Sequence, residues 1–179
     1  MLVAQNEREQ IIIQLLAKAA LTVEGDFAEV GVFKGGSARI ICLAKGDRPL
    51  HLFDTFEGLP EPGNEDTGLL KSTFTASLIE VKLHLNDYEN VHIYKGLFPE
   101  TATPIKDKKF AFVHLDGDLY NTTKQALYFF YPRMEKGGLI LMHDYQRIKG
   151  VTKAIKEFFD KKPEELTMIG GCQCLVSKA

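Results

Sequence analysis

The sequence predicts a doubly wound α/β fold: a mostly parallel sheet, helices on both faces and an antiparallel hairpin at the C-terminal end. Short apolar runs alternate regularly with helix-length segments. Most of these runs are apolar nearly throughout, which is typical of strands buried on both faces of a parallel sheet. Two short strand-like segments, LTMI and CQCLVS, flank Gly170-Gly171 and predict the terminal hairpin.

The remaining elements follow in chain order. A polar start and a short apolar run predict an N-terminal amphipathic helix over 5–20, which has neither the order of a signal peptide nor the length of a membrane span. The predicted parallel strands are 27–33, 50–54, 91–95, 110–116 and 139–143. The predicted helices, with apolar residues at three- and four-residue spacing, are 36–45, 71–86, 121–135 and 150–161.

Length and composition limit the function classes. A chain of 179 residues is too short for two ordinary domains, so a single domain over 1–179 is expected. A net charge of -2 gives no electrostatic reason to expect a nucleic acid or an anionic membrane as partner, and a small-molecule partner fits better. Three cysteines at irregular spacing predict reduced thiols and a cytoplasmic protein. Assembly into a homo-oligomer is left open.

The stretch FAEVGVFKGGS resembles a nucleotide-binding turn. Gly31 allows a tight turn after the first strand, and Gly35 lets the backbone approach a ligand at a helix N-terminus. The spacing departs from the G-x-G-x-x-G pattern of dinucleotide sites. Glu29 would repel a pyrophosphate but can accept hydrogen bonds from an amino group, which favours a nucleoside that carries an amino acid. The alternative is a turn that only joins strand to helix.

A carboxylate ends the second strand. In HLFDTFEGLP, Asp54 lies about twenty residues beyond the glycine turn, where an acidic residue can accept hydrogen bonds from both ribose hydroxyls. The alternative is that Asp54 is a cap or turn residue.

Acidic residues also end the fourth and fifth strands, in LDGDLY and MHDY. Asp116, Asp118, His143 and Asp144 are expected to converge there, where carboxylates suit magnesium and a histidine would admit manganese, iron or zinc. Asp118 has the alternative of capping the next helix. His143 has two alternatives, a general base near neutral pH and a structural residue.

Six blocks of the sequence resemble, in order, those of the macrocin O-methyltransferase-like family of S-adenosylmethionine-dependent enzymes. The blocks are EVGVFKGGSA, LFDTFEGLP, YKGLFPET, VHLDGDLYNTTKQAL, YPRMEKGGLILMHDY and GVTKAIKEFF. The resemblance covers about residues 25–159. It implies a Rossmann-like class I methyltransferase fold, S-adenosylmethionine as methyl donor, a divalent cation that is usually magnesium, and an acceptor hydroxyl on a sugar or other natural product.

The resemblance assigns the donor site residue by residue. The assigned residues are Glu29, Gly31, Gly35, Ser37, Asp54, Gly96 and Leu97. The first four are expected around the methionine portion of the donor, Asp54 at the ribose, and the last two at the adenine.

The resemblance also assigns the cation. Aspartates in these blocks bind it in the family, which implies ligands among Asp116, Asp118 and Asp144, with Asp116 and Asp144 favoured. The family's usual pair at the fifth strand is Asp-Asp, whereas this chain has His143-Asp144. His143 is therefore expected either as a third ligand or, with Asp116, as a catalytic base for the acceptor hydroxyl. Two other functions stay open: an S-adenosylmethionine-binding module without catalysis, and a nicotinamide-dependent oxidoreductase.

Overall fold

A computed structural model describes residues 5–179, and its strands form one seven-stranded sheet. The strands are β1 (Asp26–Val30), β2 (Leu50–Asp54), β3 (Val91–Lys95), β4 (Phe110–Leu115), β5 (Met134–Met142), β6 (Thr167–Gly170) and β7 (Gln173–Ser177). Their order is β3-β2-β1-β4-β5-β7-β6. Neighbouring strands among β1–β5 are parallel, whereas β7 is antiparallel to both β5 and β6. The predicted fold class is confirmed.

Five α-helices of the described part of the chain connect or flank the strands. They are α1 (Glu7–Ala19), α2 (Gly36–Cys42), α3 (Leu78–His84), α4 (Tyr120–Phe130) and α5 (Lys149–Phe159). The predicted N-terminal helix corresponds to α1, which begins with a capping box: the Asn6 side chain accepts from the Glu9 N–H, and the Glu9 carboxylate accepts from the Asn6 N–H. Within residues 5–179, the helices are too short or too polar to cross a membrane.

The sheet is buried on both faces. Helices α1, α2 and α3 pack on one face, against residues such as Phe27 and Phe112. Helices α4 and α5 pack on the other face, against residues such as Ala28 and Val113. Consecutive residues of a strand point to opposite faces, so a strand buried on both sides must be apolar at every position. This explains the uninterrupted apolar runs in the sequence.

The predicted helix over 71–86 is wrong for its first half. Residues 71–74 are turns, and helix α3 begins only after Ser77, whose hydroxyl accepts from the Glu80 N–H. The preceding KSTFTAS stretch is rich in hydroxyls that bond to nearby backbone: Thr73 donates to the Leu70 carbonyl and Thr75 to the Ser72 carbonyl. Such local bonds compete with helix formation.

Other predicted boundaries shift by a few residues, among them the end of the helix over 36–45, which lies at Cys42. Three of these shifts have a clear cause. The first strand ends at Val30 instead of residue 33, because the backbone turns at Gly31, where φ is +91°. Helix α4 ends at Phe130 instead of residue 135, since Pro132 follows in a short 3-10 helix. Strand β5 begins at Met134, five residues earlier than expected, because its first part pairs with the start of β4.

Candidate active site

The carboxyl ends of strands β1–β5 surround a cavity of about 740 Å³. This volume is in the range of small-molecule sites. Several residues that the sequence singles out line the cavity: Gly31, Asp54, Gly96, Leu97, Asp116, Asp118, His143 and Asp144. The cavity therefore joins the predicted donor residues on β1–β3 to the acidic residues on β4 and β5.

Gly31 makes a close backbone contact at the floor of the cavity. A Cβ atom at this position would overlap the main-chain carbonyl of Asp116, and the φ of +91° is one that other residues rarely adopt. The glycine lets the ends of β1 and β4 approach each other.

Asp54 ties the glycine turn to the end of β2. Its Oδ2 atom accepts from the backbone N–H groups of Val32 (2.8 Å) and Phe33 (2.7 Å), and its Oδ1 atom accepts from that of Phe56 (2.7 Å). A carboxylate oxygen has two lone pairs, so only Oδ1 keeps one for a ligand. Asp54 thus has the turn role that the sequence analysis gave as an alternative. It also lines the cavity and keeps one lone pair on Oδ1 that can accept a hydrogen bond from a ligand.

Glu29, Gly35 and Ser37 do not line the cavity. The Glu29 side chain is fully buried, and its Oε1 atom lies 2.8 Å from Nδ1 of His114, which is also fully buried. The other Glu29 oxygen has no hydrogen-bond partner among residues 5–179. Gly35 and Ser37 lie at the start of α2, with Gly35 as its N-cap at φ +81°. The sequence analysis missed the pairing of His114 with Glu29, which joins two strands.

Three of the predicted acidic-site residues contact each other. The Nδ1 atom of His143 lies 3.1 Å from Oδ1 of Asp116 and 3.3 Å from Oδ2 of Asp144. We call Asp116, Asp118, His143 and Asp144 the acidic cluster. Asp118 and Asp144 have positive φ angles of 57° and 59°, which non-glycine residues rarely adopt.

The alternative role of Asp118 as a helix cap is wrong. The N-cap of α4 is Leu119, and the backbone N–H of Tyr120 donates to Oδ1 of Asp66 (2.7 Å). The buried Asp66 also accepts from the Gly63 N–H (3.0 Å) through its other oxygen. Asp66 therefore fastens the 57–68 loop to the start of α4, at one wall of the cavity.

Burial and mutual repulsion perturb the charges of the acidic cluster. Burial and the neighbouring carboxylates of Asp116 and Asp144 raise the pKa of Asp118 to about 8. Burial opposes a charged His143, but its hydrogen bonds with Asp116 and Asp144 outweigh burial and raise its pKa. Burial would also raise the pKa of Asp116, but the contact with His143 lowers it. The cluster thus favours a bound proton or cation.

Residues far away in sequence complete this edge. The Gln5 amide donates to Oδ2 of Asp116, and Glu9 and Cys172 lie against the opposite ring nitrogen of His143. The sequence analysis missed all three of these residues, since no local pattern brings the chain termini together.

The sequence profile of the Macrocin-O-methyltransferase (TylF) family matches residues 6–172. The chain belongs to the macrocin O-methyltransferase family. The resemblance of the six sequence blocks is confirmed, and the match also extends over the N-terminal helix that those blocks leave out.

Two curated members of the family are similar over most of this chain. One is the 8-demethyl-8-(2,3-dimethoxy-alpha-L-rhamnosyl)-tetracenomycin-C 4'-O-methyltransferase of Streptomyces olivaceus. It is 33% identical to this chain, over 69% of the chain and 54% of its own length. The demethyldecarbamoylnovobiocin O-methyltransferase of Streptomyces niveus is 30% identical over 82% of the chain and 63% of its own length. The chain thus spans between about half and two thirds of these relatives.

Solved structures share the fold. The O-methyltransferase NovP superposes with a TM-score of 0.82 at 26% identity, covering 96% of this chain and 80% of that one. The calicheamicin methyltransferase CalS11 gives a TM-score of 0.81 at 18% identity, covering 98% and 80%. An O-methyltransferase from Bacillus cereus, solved with S-adenosylhomocysteine, gives 0.70 at 12% identity, covering 98% and 83%. The similarity to CalS11 and to the Bacillus cereus enzyme shows a shared fold alone.

Proposed function

We propose that this chain is an S-adenosylmethionine-dependent O-methyltransferase that modifies a hydroxyl on a sugar or other small natural product. One observation carries the proposal: a single cavity has the glycine turn and Asp54 on one side and the acidic cluster on the other. A donor and an acceptor can therefore meet within it. The names of the family relatives, which are O-methyltransferases of antibiotic-related molecules, support the same activity.

The donor is assigned to the side of the cavity formed by β1–β3. The free lone pair of Asp54 Oδ1 would accept a ribose hydroxyl, and Gly96 with Leu97 would border the adenine. Gly31 would lie by the methionine portion. The assignment of Glu29, Gly35 and Ser37 to the donor stays a prediction. A donor-binding role for Glu29 would require its buried side chain to act on the donor without lining the cavity.

The acidic cluster fits a divalent cation. Ligand atoms of Asp116, His143 and Asp144 lie within 4.8 Å of one another, and the crowded carboxylates repel unless a positive charge or proton separates them. Asp116 and Asp144 would hold the cation, for which we propose magnesium. When bound, the cation would stabilise the negative charge that develops on the acceptor oxygen.

The chain's own residues would position and deprotonate the acceptor. S-adenosylmethionine supplies a methyl group on a sulfonium, and the acceptor oxygen displaces the neutral thioether in line. Alignment of the two reactants can lower such a barrier by about 7–11 kcal/mol. Asp116 or His143 would take the hydroxyl proton. Both predicted roles of His143, ligand or base, would use Nδ1, the ring nitrogen that faces the cavity carboxylates.

The acceptor would enter beside the 57–68 loop, which Asp66 fastens to α4. The three free thiols support a cytoplasmic location, which we also propose. The assembly of several copies stays open.

Three measurements test this function. Calorimetry should show binding of S-adenosylhomocysteine and none of NADH, which separates the proposal from an oxidoreductase. Mass spectrometry of a panel of hydroxylated glycosides, with S-adenosylmethionine and magnesium, should show a gain of one methyl group. Donor binding without methylation of any glycoside would favour a non-catalytic binding module. Binding of NADH in place of the donor analogue would contradict the proposal.

A further inference from the structure

A second cluster of ligand-type side chains lies on the far side of the His143 ring. It comprises Glu9 on α1, His143 after β5 and Cys172 in the turn between β6 and β7, and we call it the thiol cluster. The three residues are only 4%, 5% and 8% exposed. Methyl transfer as proposed above uses neither Glu9 nor Cys172.

The three ligand atoms form a compact triangle. The Cys172 Sγ atom lies 3.3 Å from Nε2 of His143 and 3.4 Å from Oε1 of Glu9, and these last two atoms are 3.6 Å apart. Zinc bonds of about 2.0–2.3 Å at tetrahedral angles separate neighbouring ligands by about 3.4–3.6 Å. The triangle therefore has the dimensions of one face of a zinc tetrahedron.

We propose that Glu9 Oε1, His143 Nε2 and Cys172 Sγ bind one Zn²⁺ ion. A thiolate and an imidazole with one carboxylate are ligands that suit zinc and are poor ligands for magnesium. Three protein ligands leave one position of the tetrahedron for water, as in zinc sites that keep an open position. The site is thus distinct in chemistry from the neighbouring acidic cluster.

Neighbouring groups already orient two of the ligands. The second oxygen of Glu9 accepts from the Asn6 N–H (3.0 Å) in the helix cap, which directs the first oxygen at the cluster. The Nδ1 atom of His143 lies within reach of Asp116 and Asp144. Metal-binding histidines usually donate their other ring N–H to a carboxylate in this way.

Acidic side chains crowd the His143 ring. Three carboxylates, those of Glu9, Asp116 and Asp144, lie within 3.6 Å of this one imidazole in a mostly buried region. The Arg147 guanidinium, whose Nε atom lies 3.8 Å from Oδ1 of Asp144, also faces them. With zinc on Nε2 and the proton on Nδ1, His143 would donate to the carboxylates of the acidic cluster. Of the two bases proposed above, this leaves Asp116 to take the acceptor proton.

The competing explanation contains no metal. The same distances allow the Cys172 thiol to donate to Glu9, with His143 donating to the sulfur. The experiment must therefore detect the metal itself and the sulfur–metal bond.

The test uses the full chain with any affinity tag removed. Elemental mass spectrometry should find one zinc ion per chain after the protein has been loaded with zinc and dialysed. Replacement of zinc by cobalt should give a near-ultraviolet thiolate-to-cobalt charge-transfer band. Cys172→Ala should lose the band. Its affinity for zinc should fall by more than the roughly 10- to 100-fold that loss of an outer-shell partner costs. Glu9→Gln should lower the affinity for zinc but keep the charge-transfer band, because the sulfur ligand is still present.

The matched control is Cys174→Ala. Cys174 is also a buried free thiol, two residues along the same hairpin, and its removal should leave zinc affinity and the cobalt spectrum unchanged. Circular dichroism checks the fold of each variant, and the wild-type spectrum decides the case if Cys172→Ala does not fold.

Substoichiometric zinc in the loaded wild type, no charge-transfer band, or a band that survives Cys172→Ala would overturn the inference. Because none of these readouts involves methyl transfer, they stand whether or not the proposed activity is found.

Discussion

Asp54 offers the sharpest test of the donor site, because the structure gives it two separable tasks. One is to hold the glycine turn through three backbone N–H groups, and the other is to accept a ribose hydroxyl through Oδ1. Asp54→Asn keeps the shape of the side chain. Its amide oxygen can still accept from Val32 and Phe33, which puts the NH₂ group in place of Oδ1, where it can accept neither from the ribose nor from the Phe56 N–H. A comparison of two ligands separates the loss at the ribose from the loss at Phe56.

The expected loss is one hydrogen bond to a charged group. Such a bond is worth about 1.5–3 kcal/mol, or roughly a 10- to 150-fold change in affinity. Only one lone pair of the carboxylate is free, so a larger loss would indicate that the glycine turn has also moved.

Calorimetry with two ligands separates the tasks. The wild type should bind S-adenosylhomocysteine about 10- to 150-fold more tightly than its 2',3'-dideoxyribose analogue. Asp54→Asn should bind both ligands about equally. Glu57→Gln is the control, since the exposed Glu57 lies in the same segment but pairs with Lys95 instead of facing the cavity. If the variant loses affinity for both ligands by the same factor, Asp54 acts only on the turn and the assignment of the ribose is wrong.

Three further predictions concern the cation, the backbone and pH. Asp144→Ala should abolish cation-dependent methyl transfer while changing donor affinity only slightly, as rate assays and calorimetry can measure. Gly31→Ala should abolish donor binding, because the new Cβ would overlap the Asp116 carbonyl; thermal unfolding should also show a lower Tm. Glu164→Gln should lower the free energy of unfolding by about 3 kcal/mol at pH 7, and urea titrations should show this difference vanish between pH 4.5 and 2.

The last of these follows from how Glu164 is held. Burial would raise the pKa of its carboxyl, but hydrogen bonds from Lys178 and Tyr131 outweigh burial and lower it from 4.5 to about 2. A group whose pKa falls on folding stabilises the protein above its unfolded pKa, and this stabilisation is lost as pH drops through the folded value. Unchanged stability of the variant at pH 7 would refute this reasoning.

The prediction for Asp144 has its own contrary outcome. Activity of the wild type that persists after complete chelation would refute the role of the cation and leave His143 as the candidate base.

The sequence predicted what depends on local patterns. Apolar runs located all five parallel strands, and the strand-end carboxylates Asp54 and Asp116 lie at the edge of the sheet where the cavity is found. The first half of the predicted helix over 71–86 was wrong because side chains there bond to nearby backbone.

Contacts between distant segments could not be predicted in this way. Glu9 and Cys172 are separated by 163 residues, and Gln5 and Asp116 by 111. Nothing in either segment alone encodes its partner, because packing of the whole sheet brings them together. The same limit applies to Glu29, whose His114 partner lies on the neighbouring strand, 85 residues away.

The meeting of α1 with the β6–β7 turn also has a consequence for biosynthesis. Residues 26–145 contain every parallel strand, so the central sheet can begin to form while the C-terminal hairpin is still inside the ribosome. Glu9 is made 163 residues before Cys172 and gains this partner only when Cys172 has emerged. Until then His143 lacks one of its two sets of neighbours, and long-range closure of this kind is a slow step. The edge of the sheet that carries the acidic cluster therefore becomes complete only after all five parallel strands have been made.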